Sequence, residues 1–414
     1  MKNVLIASFD MEVGGVERSL ISMLDNFDYE NNNVELFLYR HQGDFLKSVS
    51  KKTKKLDEIE QYTTFRKSIK DTVKNGHIFI ALGRILSKII SNLRGRRYKN
   101  SETGYIQMQL MWKYTLPFLP KMRKEYDIAI SYLWPHYFIA KKVKAKKKIA
   151  WIHTDYSTIT TDIKLDLKMW NYFDYIVSVS DACKASFLEK YSELEKKVVV
   201  IENICSPEFI RIMAEDKVDN LMIADNRFKI ATVARLSHAK GIDNAVKALK
   251  ILVEKGYNEI VWYVVGFGGD EEMIKELIEK NNLNNHFILL GKKTNPYPYI
   301  KACDLYVQPS RYEGKAVTVT EAQVLSKPVM ITNYPTAQSQ ILNGVDGVIC
   351  ESSIEGIANG IESIYKNSLL RTELVKNCKN KEYNNQFELD KLYRIFNEND
   401  AKYNAQKEIS KGVI

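Results

Sequence analysis

Glu313 and Glu321 are separated by seven residues in the run Ser310-Arg-Tyr-Glu-Gly-Lys-Ala-Val-Thr-Val-Thr-Glu321. The run follows a strand-like Leu305-Tyr-Val-Gln308, and its second glutamate opens an amphipathic segment. A loop that leads into a helix presents unpaired backbone N–H groups and the positive end of a dipole, which suits a phosphate. Carboxylates on either side accept hydrogen bonds from hydroxyls. The stretch Glu313, Gly314, Lys315, Ala316, Val317 to Glu321 therefore fits a ligand that carries both phosphate and sugar.

Other residues extend that chemistry. Gly14-Gly15 stands between a first strand and a helix beginning near Val16, where two glycines let a backbone approach a ligand closely. The full Gly-x-Gly-x-x-Gly fingerprint is missing and no acidic residue ends the second strand, which disfavours a hydride-transfer cofactor. Arg235 and Lys240 follow a strand and precede a helix, placed to meet a diphosphate, the first with a forked contact and the second as a point charge. Gly266-Phe-Gly268-Gly269 follows another strand at the same sheet edge. His153 ends the strand Lys148-Ile-Ala-Trp-Ile-His, a place where an imidazole serves either packing or a ligand.

The elements that must position these residues alternate strand and helix, the pattern of α/β architecture with parallel sheets. Strands are expected at 3–9, 34–39, 128–132, 148–153, 175–178 and 198–201, then at 229–233, 260–265, 287–290, 305–308, 329–332 and 348–350. Helical patterns cover 241–255, 270–281 and 355–366. Two Rossmann-like doubly wound domains follow, with ligands at the carboxyl ends of the strands. The first spans 1–204, the second 228–385, with a connector at 205–227 and a terminal helix at 386–414 returning to the first.

Size and composition agree. At 414 residues the chain holds two cores, and 45% hydrophobic with 27% charged residues is ordinary for a globular protein. Met1–Asp10 reads as a strand rather than as the apolar region of a leader, and no apolar run approaches the ~18 residues of a spanning helix. Five scattered cysteines without ligand spacing imply a reduced, cytoplasmic protein without a disulfide framework. The net charge of +10 is concentrated between Lys47 and Lys99, where 15 basic residues face 4 acidic ones. One basic segment implies a local partner surface rather than nucleic acid.

Within that segment Leu82, Ile85, Leu86, Ile89, Ile90 and Leu93 fall on one helical face, with Arg84, Ser87, Lys88, Ser91 and Asn92 opposite. Arg94, Arg96, Arg97 and Lys99 follow. Two readings stay open for 78–99: a helix lying at an anionic membrane interface, or one turning its apolar face to the core.

In this order, Gly14-Gly15, His153, Arg235 with Lys240-Gly241, and Glu313-x7-Glu321 resemble retaining GT-B glycosyltransferases, specifically glycosyltransferase family 4. The resemblance covers almost the whole chain and is densest over 230–347. The texture from Asn295 to Lys315 is similar to bacterial enzymes of capsule, exopolysaccharide or other envelope-glycan assembly.

The resemblance implies a nucleotide-sugar donor, most commonly a UDP-sugar, held by the second domain, and a lipid-linked or polymeric glycan acceptor held by the first. Glu321 would take the ribose hydroxyls, Glu313 would face the donor sugar, and the intervening amides would meet sugar and phosphate. Arg235 and Lys240 would neutralise the departing diphosphate, with Gly14, Gly15 and Gly266 walling the site. His153 would orient the sugar during a front-face substitution rather than act as nucleophile. No Asp-x-Asp occurs, so neither a bridging divalent metal nor any other cofactor is expected. Lys315 stands where many relatives carry an aromatic residue; it either adds a cation beside the phosphate or sugar, or points to solvent. The rival expectations are a soluble storage-polysaccharide or sucrose-type transferase, and a catalytically silent scaffold binding glycan or membrane.

Overall fold

The computed structural model describes residues 1–95 and 104–398. Its first sheet contains β1 (Lys2–Ser8), β2 (Asn32–Leu38), β3 (Lys54–Lys55), β4 (Glu125–Ser131), β5 (Lys144–Ile152), β6 (Tyr175–Ser178) and β7 (Val198–Val200). They lie in the order β3-β2-β1-β4-β5-β6-β7, all parallel. The second contains β8 (Phe228–Val233), β9 (Ile260–Val265), β10 (Phe287–Gly291), β11 (Leu305–Gln308), β12 (Val329–Thr332) and β13 (Val348–Cys350). Its order is β10-β9-β8-β11-β12-β13, again parallel.

Helices cover both faces of each sheet, so the central strands are apolar without alternation: every residue of β9 and of β11 is buried. Two cores flank each sheet, one on either side. The fold is the GT-B arrangement of two Rossmann-like domains. All twelve strands read from the sequence are present, and the two-residue edge strand β3 is the addition.

The order of strands reverses at β1/β4 in one sheet and at β8/β11 in the other. Crevices open at such switch points, beyond the carboxyl ends of the strands. The loops after β1, β8 and β11 carry Gly14-Gly15, Arg235 with Lys240, and Glu313 to Val317. Both crevices are therefore walled by residues whose types suit the same ligand.

The segment read as a connector contains the helix Pro207–Met213, and Ile210, Ala214 and Met222 enter the second domain's core. The helix Glu388–Asn397 instead places Leu389, Leu392, Ile395 and Phe396 in the first domain's core, with Lys2 Nζ donating to the Phe396 carbonyl at 2.6 Å. Residues 399–414 lie outside the described residues.

The helix Ile78–Gly95 departs from the core-facing reading. Ile78, Phe79, Leu82, Ile85, Leu86, Ile89 and Leu93 are exposed, from 39% at Ile85 to 64% at Phe79. Ile80, Ala81, Ser87 and Ser91 are buried instead. The cause is a ridge of small residues. A Cβ on Gly83 would sit 3.1 Å from the Tyr114 carbonyl oxygen of the neighbouring helix Gly104–Thr115, and Ser87 and Ser91 return their hydroxyls to their own helix backbone. Arg84, on the inner side, donates to the carbonyls of Thr64 and Lys67. Phe118 stacks on Phe79 at 5.2 Å and extends the exposed apolar face. Arg96, Arg97, Lys99 and the side chain of Arg94 lie outside the described residues.

Candidate active site

A cavity of about 530 Å³ lies between the domains. Its wall includes Gly14, Gly15, His153, Arg235, Lys240, Gly266, Glu313, Gly314, Lys315, Ala316 and Val317. The size suits a small ligand with several polar anchors. Of the residues singled out in the sequence, Gly241, Gly268, Gly269 and Glu321 are not on this wall, which reaches Thr318 and stops short of Glu321.

Two glycines are demanded by close approach. A Cβ on Gly314 would fall 2.3 Å from the His153 carbonyl oxygen and 3.3 Å from Cys183 Sγ, both in the opposite domain. A Cβ on Gly266 would fall 1.8 Å from the Ala234 carbonyl oxygen. The first contact joins the domains and the second draws the β8 and β9 loops together.

His153 follows β5 with its ring buried 4.7 Å from that of Tyr132. Burial holds its imidazole down to about 3, opposed by a hydrogen bond to the Tyr132 backbone. The Tyr132 N–H is already given to Ala7, so the contact uses the Tyr132 carbonyl and keeps the proton on Nδ1. Nε2 is buried without a partner. A neutral imidazole on the cavity wall therefore carries an acceptor that no protein group uses.

Glu313 is anchored from its own domain. Lys240 Nζ lies 2.6 Å from both of its carboxylate oxygens, and Ser310 Oγ and Gln308 Nε2 donate to Oε1 at 2.7 and 3.2 Å. Arg235 lies beside the Gly14 loop: a Cβ on Gly14 would be 3.7 Å from its Nη2. Ala316 is the N-cap of the helix Val317–Val324; its N–H donates to Gln340 Oε1 at 3.1 Å and its carbonyl accepts from the Val319 N–H, which leaves the amides of Val317 and Thr318 without a partner within the helix. Lys315 does not point to solvent; its Nζ is 2.6 Å from Glu202 of the first domain.

Glu321 is 2% exposed. Arg18 Nη1 donates to its Oε2 at 2.5 Å and Tyr297 Oη to its Oε1 at 3.1 Å. Arg18 comes from the first domain, and this pair crosses the cleft. Lys292 crosses it the other way, 2.7 Å from Glu12 and 2.8 Å from Asp44.

Sequence reasoning missed Glu17, Arg18 and Asp155, all on the cavity wall. Glu17 is pushed up to about 7, chiefly by burial and against the pull of its own backbone and Arg235. Asp155 accepts from the Ser157 N–H through Oδ1, while its buried Oδ2 has no partner. The available signal was adjacency, since Glu17-Arg18 continues the Gly14-Gly15 run and Asp155 lies two residues past His153. Among the described residues, no three His, Cys, Asp or Glu side chains come together as a metal-ligand cluster.

Architecture and cavity define a GT-B protein with a closed interdomain cleft. Residues 214–381 match the family model of glycosyl transferases group 1. The chain is 28% identical over 239 residues to a capsular polysaccharide biosynthesis glycosyltransferase, CapM, of Staphylococcus aureus, covering 53% of this chain and 61% of the relative. It is 29% identical over 262 residues to an uncharacterized glycosyltransferase of Methanocaldococcus jannaschii, covering 59% of this chain and 66% of that one. The matches thus span less than two thirds of these relatives' lengths. Among solved structures, S. aureus TarM in complex with fondaparinux, α-GlcNAc-glycerol and UDP superposes with a TM-score of 0.66, at 15% identity, over 96% of this chain and 100% of that one.

Proposed function

We propose that the protein is a retaining glycosyltransferase of family 4 that moves a sugar from a nucleotide-diphosphate donor, a UDP-sugar, to a hydroxyl of a lipid-linked or polymeric envelope glycan. The observation that carries this is the convergence on one cavity of Arg235, Lys240, Glu313, the helix start at Val317 and His153 with its unpartnered Nε2. The CapM match and the UDP in the TarM complex support the substrate class.

In this reading the diphosphate sits against the amides of Gly15 and of the helix start at Val317, the Ala316 amide being held by Gln340, with Arg235 and Lys240 offsetting the charge that grows as the glycosidic bond breaks. Glu313 meets the donor sugar and Glu321 the ribose. His153 is a poor base because burial holds its imidazole down to about 3; its Nε2 accepts a sugar hydroxyl and fixes the ring. The departing phosphate oxygen takes the acceptor's proton on the same face, which retains the anomeric configuration. This reading includes no metal-dependent step, so activity is expected to survive chelation.

The enzyme would work at the cytoplasmic face of the membrane, resting on the apolar face of Ile78–Gly95, a helix that lies within the basic stretch 47–99 of the sequence. No helix among the described residues is long and apolar enough to cross a membrane.

A thermal-shift screen against nucleotide sugars, followed by NMR of the product anomer, tests the reading. A donor should raise the melting temperature by mass action, and transfer should retain configuration. No stabilisation by any donor, or an inverted product, would overturn it.

A further inference from the structure

Arg18 sits one turn into the helix Gly15–Asp25, directly after the Gly14-Gly15 loop, and its side chain spans the cleft. What it does there depends on the donor reading given above. With Arg18 on Oε2 and Tyr297 on Oε1, both oxygens of Glu321 are engaged and the residue is shut off from the cavity. No ribose can reach Glu321 until Arg18 moves. Arg18 itself is incompletely satisfied: its Nε–H is buried without a hydrogen-bond partner, although the residue lines the cavity. A buried cationic N–H without an acceptor is costly, and a ligand oxygen is the acceptor the cavity would bring.

We infer that Arg18 is a donor-binding residue that holds the place of the ribose at Glu321 in the empty enzyme and turns to the diphosphate when the nucleotide enters. The exchange leaves no charge stranded. Ribose hydroxyls replace the guanidinium at Glu321, and phosphate oxygens replace the carboxylate at Arg18. A nucleoside without phosphates satisfies Glu321 but strands Arg18, so it binds poorly. Most other cations of the cavity are already engaged, Arg66 with Asp10 among them, while Lys293 lies over the Tyr299 ring. Lys240 is paired with Glu313, Lys315 with Glu202, and Lys292 with Glu12 and Asp44. Arg235 faces the buried Glu17. A released Arg18 brings a forked cation to the diphosphate from the first domain, and so ties donor binding to the closed cleft.

The test compares uridine with UDP, the nucleotide of the TarM complex, by titration calorimetry on wild type, Arg18→Met and Arg18→Lys. Wild type should prefer UDP strongly. In Arg18→Met the ratio of UDP to uridine affinity should fall at least tenfold, because uridine no longer displaces a cation and UDP no longer gains one. Arg18→Lys, which keeps the charge, should recover part of the ratio. An unchanged ratio in Arg18→Met, or no recovery in Arg18→Lys, would overturn the inference while leaving the donor reading intact. Absence of UDP binding to wild type would overturn the UDP reading itself, and this inference with it.

Discussion

Lys240 and Glu313 act as one unit, because each completes the other's hydrogen bonding. Lys240→Ala leaves a buried carboxylate held by Ser310 and Gln308 alone, and Glu313→Ala leaves a cation drawn toward the donor phosphates. Each single change should lower kcat/KM by on the order of 10²–10³, and the double change by much less than the product. Additive losses measured in a double-mutant cycle would separate the two residues. Glu17 yields a pH prediction. Its folded carboxyl is raised from 4.5 to about 7, so between those values the folded protein keeps a proton that the unfolded chain has released. Stability therefore falls as pH rises through that window. Glu17→Gln removes the deficit, and its gain over wild type should be up to about 3 kcal/mol larger at pH 8 than at pH 4 in urea titrations. Equal gains at both pH values would contradict the assignment. Many residues of this cavity were legible in the sequence, but Glu17, Arg18 and Asp155 were not, nor were the pairings. Arg18 and Glu321 are 303 positions apart, and Lys240 and Glu313 are 73. Only the fold shows that each carboxylate already has a cation.

At the scale of elements, strand periodicity read true wherever β-branched and aliphatic runs were buried on both faces, as in Ile260–Val265. The helix Ile78–Gly95 shows the limit of such patterns. A moment separates two faces without saying which one meets the protein. Here Gly83, Ser87 and Ser91, spaced by four, permit a close helix contact and turn the apolar side outward. The consequence is an inverted mutational pattern. Serine at Ile85, Leu86 and Ile89 should each change folding stability by less than about 0.5 kcal/mol, as for surface positions. Leucine at Ser87 or Ser91 should cost about 1–3 kcal/mol by overpacking. Denaturant titrations check both, and vesicle co-sedimentation of the triple serine variant checks the membrane reading, since wild-type binding to anionic vesicles should be lost. Gly314 belongs to this scale too. Gly314→Ala would push the β11 loop off the His153 carbonyl, so transfer should fall at least tenfold while the ligand-free melt holds within a few degrees.

For the whole molecule, the cleft is bridged by ion pairs of unequal exposure. Lys292 with Glu12 and Asp44 is partly open to solvent, whereas Arg18 with Glu321 is nearly closed to it. Salt screens the first far more than the second, because the Debye length shrinks to ~3 Å at 1 M. The ligand-free protein should therefore loosen at high salt without opening fully, and scattering should register a small rise in radius of gyration. In Arg18→Met the same titration should open the cleft further. An identical salt response in the two proteins would show that the buried pair does not help hold it.

The returning helix Glu388–Asn397 has a consequence for how the protein is made. The first domain's sheet is complete once Val200 has been synthesised, yet its core still lacks Leu389, Leu392, Ile395 and Phe396. At ribosomal speeds of ~5–20 residues per second, those residues emerge roughly 10–40 s later. By then the second domain's matched stretch, which ends at residue 381, has been synthesised in full. The half made first must wait for the half made last. Nascent chains stalled before residue 388 should leave the first domain open to protease, while chains extended beyond residue 398 and clear of the exit tunnel should protect it.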